Sequence, residues 1–105
     1  MTIAQTVGTA MLTDFQHKVL EALDTILAER NLKGRATKIE QRTKGSWWGD
    51  CYVKVDIPEK NISVWAYGNE IGLTFGDQFS LLERTRDQTD ETMIQTYLAD
   101  LKARL

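Results

Sequence analysis

The stretch Cys51-Tyr52-Val53-Lys54-Val55-Asp56-Ile57-Pro58-Glu59-Lys60-Asn61-Ile62-Ser63-Val64-Trp65-Ala66-Tyr67-Gly68-Asn69 decides the fold. Cys51, Val53, Val55 and Ile57 alternate with Tyr52, Lys54 and Asp56. That two-residue period belongs to a half-buried strand. Pro58-Glu59-Lys60-Asn61 is turn chemistry. Ile62, Val64 and Ala66 then alternate with Ser63, Trp65 and Tyr67. A gap this short joins antiparallel neighbours, because a parallel pair needs a long crossover.

Working outward, Gly68-Asn69 is a tight turn. Ile71, Leu73 and Phe75 alternate with Glu70, Gly72 and Thr74. Gly76-Asp77 turns again, and Gln78 to Glu83 reads as a last strand with Phe79 and Leu81 inward. Upstream, Arg35 to Thr43 alternates weakly around Ala36 and Ile39. Its charges mark a polar edge strand that resists pairing with another molecule. Lys44-Gly45-Ser46 is a turn. Strands in this sequence order form a meander.

A helix flanks each end. Thr13-Asp14-Phe15-Gln16 is a capping box, followed by Phe15, Val19, Ala22, Leu23, Ile26 and Leu27 at spacings of three and four. Asn31 or Gly34 can end this helix in the left-handed conformation. The second helix starts at Asp87 or Thr89, where Asp90 and Glu91 suit the positive end of its dipole. Its stripe is Ile94, Tyr97, Leu98, Leu101 and Leu105. The fold class is therefore α+β: an N-terminal helix, an antiparallel meander of four to five strands and a C-terminal helix, in two layers. Both helices pack on the face made by Val53, Val55, Ile57, Val64, Ile71, Leu73 and Phe75.

The 105 residues suffice for one domain spanning residues 1–105, with residues 1–12 as an arm or partly disordered segment. Hydrophobic residues at 42% and charged residues at 27% match a globular chain rather than a disordered one. Net charge is −2, without the cationic excess that a nucleic-acid backbone demands. Lys33, Arg35 and Lys38 are only a local basic group. Cys51 is the single cysteine, so no internal disulfide is possible and a reducing compartment is expected. No basic start precedes the apolar residues of 1–12, and no run is long enough to span a bilayer. The expected location is cytoplasmic.

The most distinctive segment is Ser46-Trp47-Trp48-Gly49-Asp50-Cys51-Tyr52. Two adjacent tryptophans in a turn cannot both enter one core. Either both pack under loops and helix ends, or one is displayed to a partner. The alternation also puts Tyr52, Trp65 and Tyr67 on the face opposite Val53 and Val64, beside Lys54, Asp56 and Glu70. Such a face is either a recognition surface or a stabilising set of cross-strand rings. Catalytic signals are thin. His17 is on the polar side of the first helix, and an inward Cys51 is inert without an activating base. No carboxylate pair, metal-ligand cluster or phosphate loop is present. Asp87, Asp90 and Glu91 serve as helix capping, or as an acidic patch for a basic partner.

Trp47-Trp48-Gly49-Asp50, then Ile62-Ser63-Val64-Trp65, then Gly68-Asn69-Glu70-Ile71-Gly72-Leu73-Thr74-Phe75-Gly76 resemble the central sheet of small immunity proteins of bacterial polymorphic toxin systems. The resemblance spans about Trp47 to Phe79. It implies a cytoplasmic protein that binds a cognate toxin domain and blocks its active site. The charge of −2 departs from the strongly acidic members, which act as nucleic-acid mimics.

The reading is thus a non-catalytic protein-binding module, an immunity-like inhibitor rather than an enzyme, with no cofactor and no metal. Its contact residues are Trp47, Trp48, Asp50, Tyr52, Asp56, Trp65, Tyr67 and Glu70. The partner is a protein, such as a toxin domain, and neither nucleic acid nor membrane. Two alternatives are a small-ligand or enzymatic domain with a pocket near Trp48, Cys51 and Tyr52, and a structural homodimer joined through the aromatic face.

Overall fold

A computed structural model describes residues 12–40 and 51–105. Trp47, Trp48 and Asp50, the Lys44-Gly45-Ser46 turn and the arm up to residue 11 lie outside the described residues.

The first helix, α1 (Asp14–Glu29), begins as its sequence dictates. The Gln16 amide donates to the Thr13 hydroxyl oxygen at 3.2 Å, and the Thr13 amide donates to Gln16 Oε1 at 2.8 Å. These two bonds satisfy donors that the first turn leaves unpaired. At the other end Asn31 takes φ 55. The Leu32 amide reaches the Leu27 carbonyl and the Asn31 amide that of Ala28, which is the Schellman closure. The buried stripe is Phe15, Val19, Leu20, Leu23, Ile26 and Leu27, joined by one polar residue, Gln16.

Five strands follow: β1 (Arg35–Glu40), β2 (Cys51–Ile57), β3 (Ile62–Ala66), β4 (Ile71–Phe75) and β5 (Gln78–Leu82). They lie in the order β1-β2-β3-β4-β5, every neighbour antiparallel. Pro58–Lys60 forms one 3-10 turn, and Asn61 leaves it with φ 53. Asn tolerates this conformation because its short polar side chain bonds locally. The second helix, α2 (Asp90–Arg104), is capped by Thr89, whose hydroxyl accepts from the Thr92 amide at 3.2 Å.

Both helices cover one face of the sheet. Val53, Val55, Ile57, Val64, Ala66, Ile71 and Leu73 meet the α1 stripe and Met93, Tyr97 and Leu101 of α2 in one core. Each Val, Leu, Ile or Met side chain among them stabilises the fold by about 1.5–3 kcal/mol through burial. Tyr97 is fully buried and ties the helices together, its hydroxyl donating to the Val19 carbonyl at 2.9 Å. Met93 lies deeper than Ile94 and Leu98, which pack at the core's margin. The α2 stripe is therefore rotated from the expected one.

The inward assignment of Phe79 and Leu81 is wrong. Gly76-Asp77 is a two-residue turn, with Gly76 at φ 64, so Phe75 pairs with Gln78. Thr74 then pairs with Phe79 and Gly72 with Leu81. Paired residues share a face, so Phe79 and Leu81 stand with Gly72 and Thr74, away from the helices. The strand also stops at Leu82 rather than Glu83.

Candidate functional site

The face of the sheet opposite the helices carries an aromatic cluster. Trp65 is its hub. Its ring centroid lies 6.2 Å from Tyr52, 6.5 Å from Tyr67 and 6.3 Å from Phe79, the last in an edge-on arrangement. Tyr52 and Tyr67 are 5.4 Å apart. These separations fall within the range in which ring quadrupoles attract, worth about 0.5–1.5 kcal/mol per pair beyond area burial. Trp65 Nε1 donates to the Thr74 hydroxyl across the β3–β4 pair at 2.9 Å, and Lys54 Nζ lies 4.8 Å above its ring. The hydrogen bond and the cation fix the indole in one orientation.

Glycine makes the cluster possible. Gly72 pairs directly with Trp65. A Cβ on Gly72 would come within 2.8 Å of Phe79 Cε2, 2.9 Å of Phe79 Cζ and 3.2 Å of Tyr67 Cε2. The rings of Phe79 on β5 and of Tyr67 just after β3 therefore close over a position that a side chain would crowd.

Exposure differs across the cluster. Tyr67 is only 7% exposed, and burial together with Tyr52 raises its phenol pKa. Tyr52 and Trp65 are half-buried. Phe79 is 54% exposed, and it is the residue whose face the alternation reading missed. Counting through the two-residue turn would have found it.

The remaining expected site residues divide. Asp56 shares the aromatic face of β2 and accepts from the Ser63 hydroxyl at 2.6 Å, with Lys54 Nζ at 3.5 Å. The Glu70 carboxylate is engaged outside the cluster, accepting from the Arg84 amide at 3.2 Å. The residues brought together are thus Tyr52, Asp56, Trp65 and Tyr67, extended by Phe79. Asp90 and Glu91, read as capping or an acidic patch, are engaged by cations. Arg84 meets Asp90 at 2.7 Å, and Lys18 meets Glu91 at 2.9 Å and Asp90 at 3.6 Å. Contact with Lys18 holds the Glu91 carboxyl below its ordinary range, and Glu91 in turn raises the Lys18 amine.

Cys51 is fully buried against the core and Tyr52 faces the opposite way, so the two do not line one pocket. A groove of about 380 Å³ between α1 and α2 is lined by Lys18, Glu21, Ala22, Thr25, Glu91, Ile94 and Gln95, which include no cysteine or histidine nucleophile. Among the described residues no three His, Cys, Asp or Glu gather where they could hold a metal. Among the described residues, too, no helix is long and apolar enough to cross a membrane.

The chain matches no protein-family model, no curated protein and no solved structure.

Proposed function

We propose that this chain is a non-catalytic protein-binding module whose contact surface is the aromatic face of the sheet. The observation that carries the reading is the position of Phe79. It is a large apolar side chain, 54% exposed, leaning on Trp65 on the face that neither helix covers. Aromatic residues that are rigid, half-desolvated and clustered are the usual anchors of protein interfaces. Trp65 is held by Thr74 and Lys54, so its ordering cost on binding is small. Asp56 and Lys54 supply a polar rim that favours orientation and specificity over affinity.

Its most concrete form is an immunity-like inhibitor that sequesters a cognate toxin domain. The support is the resemblance of the central sheet together with a surface built for binding. The test is hydrogen exchange of the full chain with and without the protein encoded in the adjacent reading frame, which this reading expects to carry a toxin domain. Protection concentrated on β3, β4 and β5 supports the reading. Protection confined to α1 and α2 contradicts it.

A further inference from the structure

We propose that β5 is a self-complementary edge through which two copies of the chain pair antiparallel, joining five strands from each into one continuous sheet. The Tyr67 amide donates to the Glu70 carbonyl, and the Gly76 amide to the Asn61 carbonyl. Even-numbered residues of β4 and its flanks therefore bond toward β3, leaving Ile71, Leu73 and Phe75 to bond toward β5. Their partners are Leu82, Ser80 and Gln78. It follows that the N–H and C=O groups of Phe79 and Leu81 point away from the sheet. Beyond β5 no further strand is paired among the described residues. An outward row of alternating donors and acceptors is complementary to one thing, another β-strand.

The two edges of the sheet are built differently. β1 carries Arg35 and Lys38 among its six residues, the charges with which edge strands discourage pairing. β5 has the sequence Gln-Phe-Ser-Leu-Leu, with no charge and no proline. A second copy fits it in a register centred on Ser80. Phe79 then faces Leu81 of the second copy, Ser80 faces Ser80, and Gln78 faces Leu82. All five residues find partners, the outward groups of Phe79 and Leu81 are bonded twice over by symmetry, and the exposed Phe79 ring is covered by leucine. Such a twofold contact is isologous and closes on itself. Asp77 and Glu83 meet just beyond the strand ends, so added salt should tighten the pairing by screening them. This pairing uses the backbone edge and does not depend on the partner-binding reading of the aromatic face.

Sedimentation of the full chain over a concentration series, up to on the order of 1 mM, tests it, because so short an edge gives a weak contact. The mass is expected to rise toward the dimer. Ser80→Cys adds a geometric test. In the proposed register the two Ser80 residues are a non-hydrogen-bonded pair, with Cα atoms about 4.5 Å apart, within disulfide reach. Two copies of Gln78 would lie roughly 13 Å apart. Ser80→Cys should therefore cross-link at least about tenfold faster than Gln78→Cys. The buried native Cys51 does not interfere with either. Leu81→Pro removes an outward amide while sparing the bonds to β4, and Leu81→Lys adds an edge charge. At least one of them should keep the far-ultraviolet dichroism of the parent and sediment as a monomer. A parent chain that is monomeric throughout, equal cross-linking of the two thiols, or a dimer that survives both Leu81 variants overturns the proposal.

Discussion

The side-chain amide of Gln16 donates to the main-chain carbonyl of Ala66 at 3.0 Å, across 50 positions of sequence. The same nitrogen donates to the Cys51 carbonyl at 2.8 Å. The β2–β3 ladder ends at the Val53–Ala66 pair, so Gln16 bridges the two strands where their own bonding stops. Thr13 extends this seam by donating from its hydroxyl to the Gly68 carbonyl at 2.6 Å. The start of α1 is thereby fixed to the end of the sheet that carries Tyr52 and Tyr67.

Gln16→Met keeps the side chain's length and apolar bulk while removing its donor and acceptor. It should destabilise the protein by about 2–3 kcal/mol, since buried carbonyls lose their partner. Urea unfolding measures this. A change below about 0.5 kcal/mol would show that Gln16 acts by packing alone.

Gly72→Val should disrupt the aromatic cluster without unfolding the domain. The added carbons collide with Phe79 and Tyr67 rings rather than with backbone, and Phe79 is free to swing outward. Near-ultraviolet dichroism should weaken while the far-ultraviolet spectrum is kept. Stability should fall by about 1–2 kcal/mol as ring contacts are lost.

Arg84 holds the returning loop through its side chain. Its Nε donates to the Asn69 carbonyl at 3.0 Å, its Nη1 to the Gln88 carbonyl at 3.3 Å and its Nη2 to Asp90 at 2.7 Å. The guanidinium carbon also lies 4.8 Å from the Phe15 ring centroid. A lysine cannot reproduce this planar fork. Arg84→Lys should cost about 1–2 kcal/mol, measured as a shift in the denaturation midpoint with an unchanged slope.

Tyr97 makes stability fall in alkali. Burial raises its phenol pKa, so the folded state keeps a proton that the unfolded chain releases near pH 10. The stabilisation is complete below that value and declines above it, by about 1.4 kcal/mol per pH unit. Tyr97→Phe should lose about 1 kcal/mol at neutral pH, with its bond to Val19, and show a flatter decline above pH 10. An equally steep alkaline decline in the variant would place its origin elsewhere.

Local features were the most readable in the sequence. The Thr13–Gln16 box, the left-handed Asn31 and the alternation of β2 and β3 involve residues a few positions apart, whose chemistry acts wherever the segment lies. The second role of Gln16 was hidden, because its bonds to Cys51 and Ala66 exist only after α1 has docked. Hydrophobicity alone misassigned Phe79, since an apolar residue in a strand suggests the core. The register set by Gly76-Asp77 overrides that preference. Parity groups Tyr52, Trp65 and Tyr67 on one face, as the ring contacts bear out, whereas Glu70 falls just before β4 and its carboxylate accepts from the Arg84 amide.

If the aromatic face binds a protein, Phe79 stands at the contact, being its most exposed ring. The measurement is calorimetric titration of the full chain and of Phe79→Ala with the protein encoded in the adjacent reading frame, which the proposed function expects to carry a toxin domain. The parent chain should bind, and the variant should bind at least about tenfold more weakly while staying folded, its melting temperature lower by only the few degrees that one lost ring contact costs. Equal dissociation constants, or no binding by the parent chain, would contradict that function.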